Sequence, residues 1–162
     1  MIKNLKNRTE GFTIIEVMIV LVIAAVILLI VFLAVPALQR NSRNTQRKND
    51  VSRVGTAVNN WVSNSNGAVF TAGVGNANLT AVANDVGNLG QYTLTAGTTW
   101  TVAASAQAAQ NTLANMRVVT GATCGGAGIT VAGTTRQMAM QYAIETAVGG
   151  TSTTGTPICQ DI

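Results

Sequence analysis

Residues 17–35 are 19 successive apolar positions, enough for a helix to cross most of a bilayer core. One carboxylate, Glu16, stands directly in front of them. A lone acid in lipid costs about 2.5–3.5 kcal/mol near a helix centre and less towards its end, so a chain that keeps one there has a use for it. Pro36 closes the run. It lacks a backbone N–H and disfavours helix at Val35, which predicts a kink or a locally melted turn. Beyond it the pattern stays helical. Arg40, Arg43 and Arg47 recur at i, i+3 and i+7 as one polar face, and Val51, Val54, Val58, Trp61 and Val62 form an apolar stripe. Asn64-Ser65-Asn66-Gly67 is a stop signal. The pattern predicts a rod from Phe12 to about Asn64, roughly 80 Å long at 1.5 Å per residue. Its first half is apolar all round and its second half along one stripe.

Residues 67–162 change period. Leu79, Val82, Val86 and Leu89 suggest a short amphipathic helix ending before Gly90. Positions 92–95 and 98–102 alternate around Ala96-Gly97, which predicts a hairpin. The alanine- and glutamine-rich stretch 103–115 fits helix or loop. Segments 116–120, 129–132 and 136–146 predict the main strands. In the last, Met138, Met140, Tyr142 and Ile144 alternate with Gln137, Ala139, Gln141 and Ala143, as in a half-buried strand whose methionines pack as ordinary core against the helix. A glycine- and threonine-rich tail covers 148–157. The expected fold class is α+β: a long N-terminal helix whose apolar half protrudes and whose amphipathic half packs on a small antiparallel β-sheet head.

Charge sharpens this division. Residues 1–67 hold eight of the ten bases, and residues 68–162 carry only Asp85, Arg117, Arg136, Glu145 and Asp161. The formal charge of +4 therefore does not describe the head. Losing the first eleven residues would leave seven bases against five acids, weak support for nucleic acid as the main partner. Two cysteines, Cys124 and Cys159, lie in the charge-poor half. On a chain that engages a membrane they read as one disulfide in an oxidising compartment, the alternative being two reduced, buried thiols. The bridge would close a loop of 34 intervening residues, worth on the order of 3–4 kcal/mol, and tie the tail back.

Candidate chemistry is scarce. There is no histidine, which removes the commonest general base and metal ligand. Paired carboxylates of the glycosidase kind are missing. Gly125-Gly126-Ala127-Gly128 lacks the lysine that follows in a phosphate loop and reads as a turn. Asp161 beside Gln160 is a poor calcium site with one carboxylate. Asn78-Leu79-Thr80 fits the N-glycan sequon. The expectation is a protein without enzymatic activity, cofactor or metal.

One resemblance is specific. Behind the short basic segment MIKNLKNRTEG, the residues Gly11-Phe12-Thr13-Ile14-Ile15-Glu16 and the apolar run after them resemble the processing site and N-terminal helix of a type IV prepilin. The resemblance implies a leader over 1–11 that prepilin peptidase removes on the cytoplasmic face, between Gly11 and Phe12, and an N-methylated Phe12. Residues 12–36 would be the transmembrane and filament-core half of the helix, 37–66 its amphipathic half, and 67–162 the head with a C-terminal disulfide loop. Cleavage would leave an amine on Phe12, one turn from Glu16. Each is costly alone in an apolar layer and cheaper as a pair, so the Phe12 amine of an incoming copy can meet Glu16 of a neighbour and set the stagger between rods. Such pilins often have a glycine where this chain has Ala25, and a proline at the position of Leu33 rather than at Pro36.

The implied function is a structural subunit of a type IV pilus, held in the cytoplasmic membrane as a single-pass protein and then assembled outside the cell. Its implied partners are copies of itself, the peptidase, the assembly machinery and the inner membrane. DNA or a host or neighbouring cell surface are further candidates. The alternatives are a pseudopilin of a type II secretion or competence system, and a non-polymerising membrane-anchored adhesin or DNA-binding domain. The arginines after the span read as a solvated face or a contact with lipid phosphates, with acidic groups of neighbouring subunits and DNA as other occupants. They also put more Lys and Arg after the span than before it, against the positive-inside rule for this orientation.

Overall fold

The computed structural model describes residues 11–70, 77–96, 99–104, 106–146 and 153–162. Most of the leader, the turn expected at Gly97 and the first half of the tail lie outside the described residues. The chain divides into two compact units, Met1–Leu38 and Gln39–Ile162. One helix, α1 (Ile14–Asn64), contributes to both.

In the first unit α1 is the only element among the described residues. Every large apolar side chain from Phe12 to Val35 is exposed, and the segment is long and apolar enough to cross a membrane. Helical structure continues through Pro36. The proline takes away the N–H that the carbonyl of Phe32 would accept from, yet no turn melts there.

The second unit is built on residues 39–64 of α1. Val51, Val54 and Val58 are fully buried, with Trp61 and Val62 packed against the same core. That is the stripe the helical period requires. The helix stops where Asn66 and Gly67 take positive φ, and the Gly67 N–H returns to the carbonyl of Val62 at 2.9 Å, a C-cap that glycine adopts without strain. A second helix, α2 (Ala77–Val86), buries Leu79, Val82 and Val86.

Six strands follow: β1 (Trp100–Ala104), β2 (Met116–Thr120), β3 (Ala122–Cys124), β4 (Thr130–Ala132), β5 (Met138–Ile144) and β6 (Thr156–Asp161). Four form one sheet in the order β1-β2-β5-β6, and β3 with β4 forms a separate ribbon. The sheet is mixed. β1 runs parallel to β2, with Trp100 opposite Met116, while β2-β5 and β5-β6 are antiparallel.

Several expectations change here. The sheet is antiparallel-rich but not wholly antiparallel. The hairpin over 92–102 does not form. Residues 92–95 lie outside any strand, and 100–104 instead joins β2 in parallel after a loop that covers much of 103–115. Segment 129–132 contributes only to the ribbon. The tail supplies an unforeseen strand, β6. Most consequentially, β5 is buried on both faces: Met138, Met140 and Tyr142 pack towards the core, and Ala139, Gln141 and Ala143 are just as inaccessible. The second face is covered by the loop at Ala108 and the 3-10 turn Gly126–Gly128, whose carbonyls at Ala108 and Gly128 accept from Gln141 Nε2 at 3.1 and 3.0 Å.

Candidate functional site

The N-terminal end of α1 places the residues of the expected processing and assembly site. Phe12 is 89 % exposed and Gly11 lies open beside it. Thr13 precedes the first helical residue, and Glu16 is the third residue of the helix. The Thr13 N–H and hydroxyl each donate to Glu16 Oε2 at 2.8 Å, and the Glu16 N–H donates to Thr13 Oγ1 at 3.3 Å. This is a reciprocal capping box. The carboxylate that looked bare in the sequence therefore has two donors within its own chain. Thr13-x-x-Glu16 ahead of an apolar run is the sequence signal for this cap. Phe12 N is the peptide nitrogen joined to Gly11, and among the described residues no amine meets Glu16.

In the second unit the arginine face has a different role from those expected of it. Glu145, just past β5, accepts from Arg43 through Nε to Oε1 (2.9 Å) and Nη2 to Oε2 (2.7 Å), and from Arg47 Nη1 at 2.7 Å. Asn44 binds the backbone of the same residue twice. Its Nδ2 donates to the Glu145 carbonyl at 2.9 Å, and its Oδ1 accepts the Glu145 N–H at 2.8 Å. Arg40 Nη1 donates to the Thr146 carbonyl at 3.4 Å. Two of the three arginines are thus paired with a carboxylate of the head. The Arg43 guanidinium, followed by that of Arg47, lowers the Glu145 carboxyl to about 2 against the opposing effect of burial, and Glu145 in turn raises Arg43.

Two further charges on α1 fasten the head. Asp50 accepts from the N–H groups of Gly90 (3.2 Å) and Gln91 (2.7 Å). Arg53 donates to the carbonyls of Val86 (2.9 Å) and Asn88 (3.3 Å), a cation at the C-terminal end of α2. Nothing in local spacing marks these partners.

Cys124 and Cys159 are bonded, with Cα atoms 5.5 Å apart. The bridge joins the β3-β4 ribbon to β6, and Asp161 Oδ1 accepts the Cys124 N–H at 2.7 Å beside it. The acid considered for calcium is therefore occupied by the backbone. Among the described residues no group of three His, Cys, Asp or Glu side chains is placed to hold a metal. Asn78 of the sequon lies in the first turn of α2, half-buried.

Residues 6–32 match the family model of the prokaryotic N-terminal methylation motif. No curated protein and no solved structure matches the chain. The match spans the end of the basic segment, Gly11 to Glu16 and most of the apolar run. The chain carries a type IV pilin-like prepilin leader, and the apolar helix behind it fits membrane anchoring before assembly.

Proposed function

We propose that the protein is a structural, non-enzymatic subunit of a type IV pilus. The observation that carries this reading is an uninterrupted apolar helix, exposed on every side, directly behind the matched leader. So much bare apolar surface needs either lipid or sister helices. Prepilin peptidase cleaves between Gly11 and Phe12, the Phe12 amine is methylated, and the helix holds the protein in the cytoplasmic membrane. Assembly then packs helices 12–36 side by side into the core of an extracellular filament. The Phe12 amine of each arriving copy replaces Thr13 as a partner of Glu16 on a copy already in place. Pro36 is where the rod bends in that packing.

The pseudopilin alternative shares the same N-terminus and rests on the same match. Electron microscopy of cells with and without the gene distinguishes surface filaments from a secretion or competence machine. Two measurements test the main reading. The mature chain should begin at Phe12 and be heavier by one methyl group, and Glu16→Ala should abolish filaments while leaving the folded head intact. Mature protein starting at Met1 would remove the processing step. Filaments formed normally by Glu16→Ala would remove the pairing, and a Glu16→Ala protein that keeps full adhesive or DNA-binding function without polymer would favour the anchored binding domain.

A further inference from the structure

Of the asparagines in the sequence, Asn66 alone is followed by glycine, and both residues of the pair are exposed. An asparagine ahead of glycine holds an electrophile and a nucleophile in one dipeptide. Its side-chain carbonyl carbon lies within reach of the next backbone nitrogen, and glycine has no Cβ to obstruct the approach. Folding sets the terms on which the two meet. Asn66 takes φ 56° and Gly67 φ 77°, the left-handed pair that ends α1. The Gly67 N–H donates to the Val62 carbonyl at 2.9 Å. The nucleophilic nitrogen is therefore committed to the cap and must leave it before attacking. Little holds that cap shut. The N–H groups of Ser65 and Ala68 donate only to nearby carbonyls, those of Trp61 and Ser65, and positions 66–69 are all exposed. Such a segment opens locally at low cost.

We infer that Asn66 is a site of spontaneous deamidation, through a cyclic imide with Gly67, at a rate set by opening of the α1 C-cap. The Gly67 nitrogen gives up its proton and bonds to Asn66 Cγ. The Cγ–Nδ2 bond breaks, and the side-chain nitrogen takes up a proton and leaves as ammonia. Water then opens the ring. Attack at Cγ restores the ordinary backbone, with an aspartate at position 66. Attack at the main-chain carbonyl routes the backbone through the side chain as isoaspartate. Either product sets a carboxylate near the last carbonyls of α1, the negative end of the helix dipole. Isoaspartate also lengthens the turn by one backbone atom. That turn leads to Phe70, which is 1 % exposed and stacks on Trp61 with ring centroids 4.5 Å apart. Conversion thus loosens the aromatic contact at the end of α1.

The test incubates the full chain in detergent at mildly alkaline pH, folded and, in parallel, unfolded in guanidinium chloride. Peptide mass spectrometry reads the gain of one mass unit at position 66, and labelling by an isoaspartyl methyltransferase reads the isoaspartate. The backbone hydrogen bond lost on opening the cap predicts that the folded chain converts about five-fold more slowly than the unfolded one. Asn66→Gly takes the left-handed conformation freely, so it should keep the head folded and abolish both the mass gain and the label. Converted protein should show a weakened near-ultraviolet signal from Trp61, which Asn66→Gly retains. Folded protein that stays unchanged while the unfolded chain converts completely overturns the site. A mass gain without the isoaspartate label overturns the cyclic imide, and equal rates in the two states overturn control by the cap. An undiminished tryptophan signal in fully converted protein overturns the effect on the Trp61–Phe70 contact.

Discussion

Glu145→Gln removes one negative charge from the contact between α1 and the end of β5, and almost no volume. Its partner Arg47 has a side chain 8 % exposed, whereas Arg43 is 35 % exposed and Glu145 itself 13 %. Breaking a buried pair from one side costs about 3–5 kcal/mol, because the remaining cation stays desolvated. The lowering of the carboxyl from 4.5 to about 2 gives a second route to the magnitude. At 1.36 kcal/mol per pKa unit it corresponds to about 3 kcal/mol, an upper bound, since water reaches the pair through Arg43. The glutamine oxygen still accepts one hydrogen bond, so the expected loss is about 2 kcal/mol. For a unit of this size that lowers Tm by about 8 °C.

The assay is near-ultraviolet circular dichroism on the full chain in detergent, following the tryptophan signal of Trp61 and Trp100 on heating. The pH dependence gives an independent check. A carboxyl whose folded pKa is depressed contributes its full stabilisation above its unfolded value of 4.5 and loses it as pH falls towards 2. The wild type should therefore lose stability across that window, and Glu145→Gln should lose less by about the same 2 kcal/mol. A Tm change under about 2 °C, or identical pH profiles, would show that the cluster is a solvated surface feature and that the head is fastened to α1 in some other way.

Other outcomes follow from the same geometry. Thr13→Ala removes the hydroxyl that donates to Glu16 Oε2 and accepts the Glu16 N–H, and should weaken the first helical turn by about 1 kcal/mol, read as lower helicity in micelles, with Thr13→Ser restoring it. Reducing the Cys124–Cys159 bridge, or replacing both cysteines with serine, should cost on the order of 3–4 kcal/mol, measured by denaturant unfolding. Gln141, fully buried, holds two carbonyls. Gln141→Leu should leave both without their donor at about 1–3 kcal/mol each and increase proteolysis of the covering loop around Ala108.

Local period and spacing determined a good deal without any coordinates. The apolar run and its flanks specify an exposed helix that needs lipid or like helices, because no small domain could cover it. The spacing of Val51, Val54 and Val58 specifies the face that packs on the head. Asn66-Gly67 specifies the stop, and Thr13 and Glu16 sit at the interval where a cap closes on itself. All of these depend on residues within a few positions of each other, where backbone geometry alone sets who meets whom.

Tertiary structure decided the rest. Glu145 lies 102 residues from Arg43, and no periodicity connects them; only the return of β5 along α1 does. Alternation in β5 marked one face as apolar. It could not reveal that Ala139, Gln141 and Ala143 would be roofed by two loops, since small and amide side chains suit solvent and a tight cover equally well. The parallel pairing of β1 with β2, and the capture of the tail as β6, likewise depend on which edges the folded sheet leaves open. A strand's own residues record which way its side chains alternate, whereas its neighbour is chosen by the surface that the whole chain buries together.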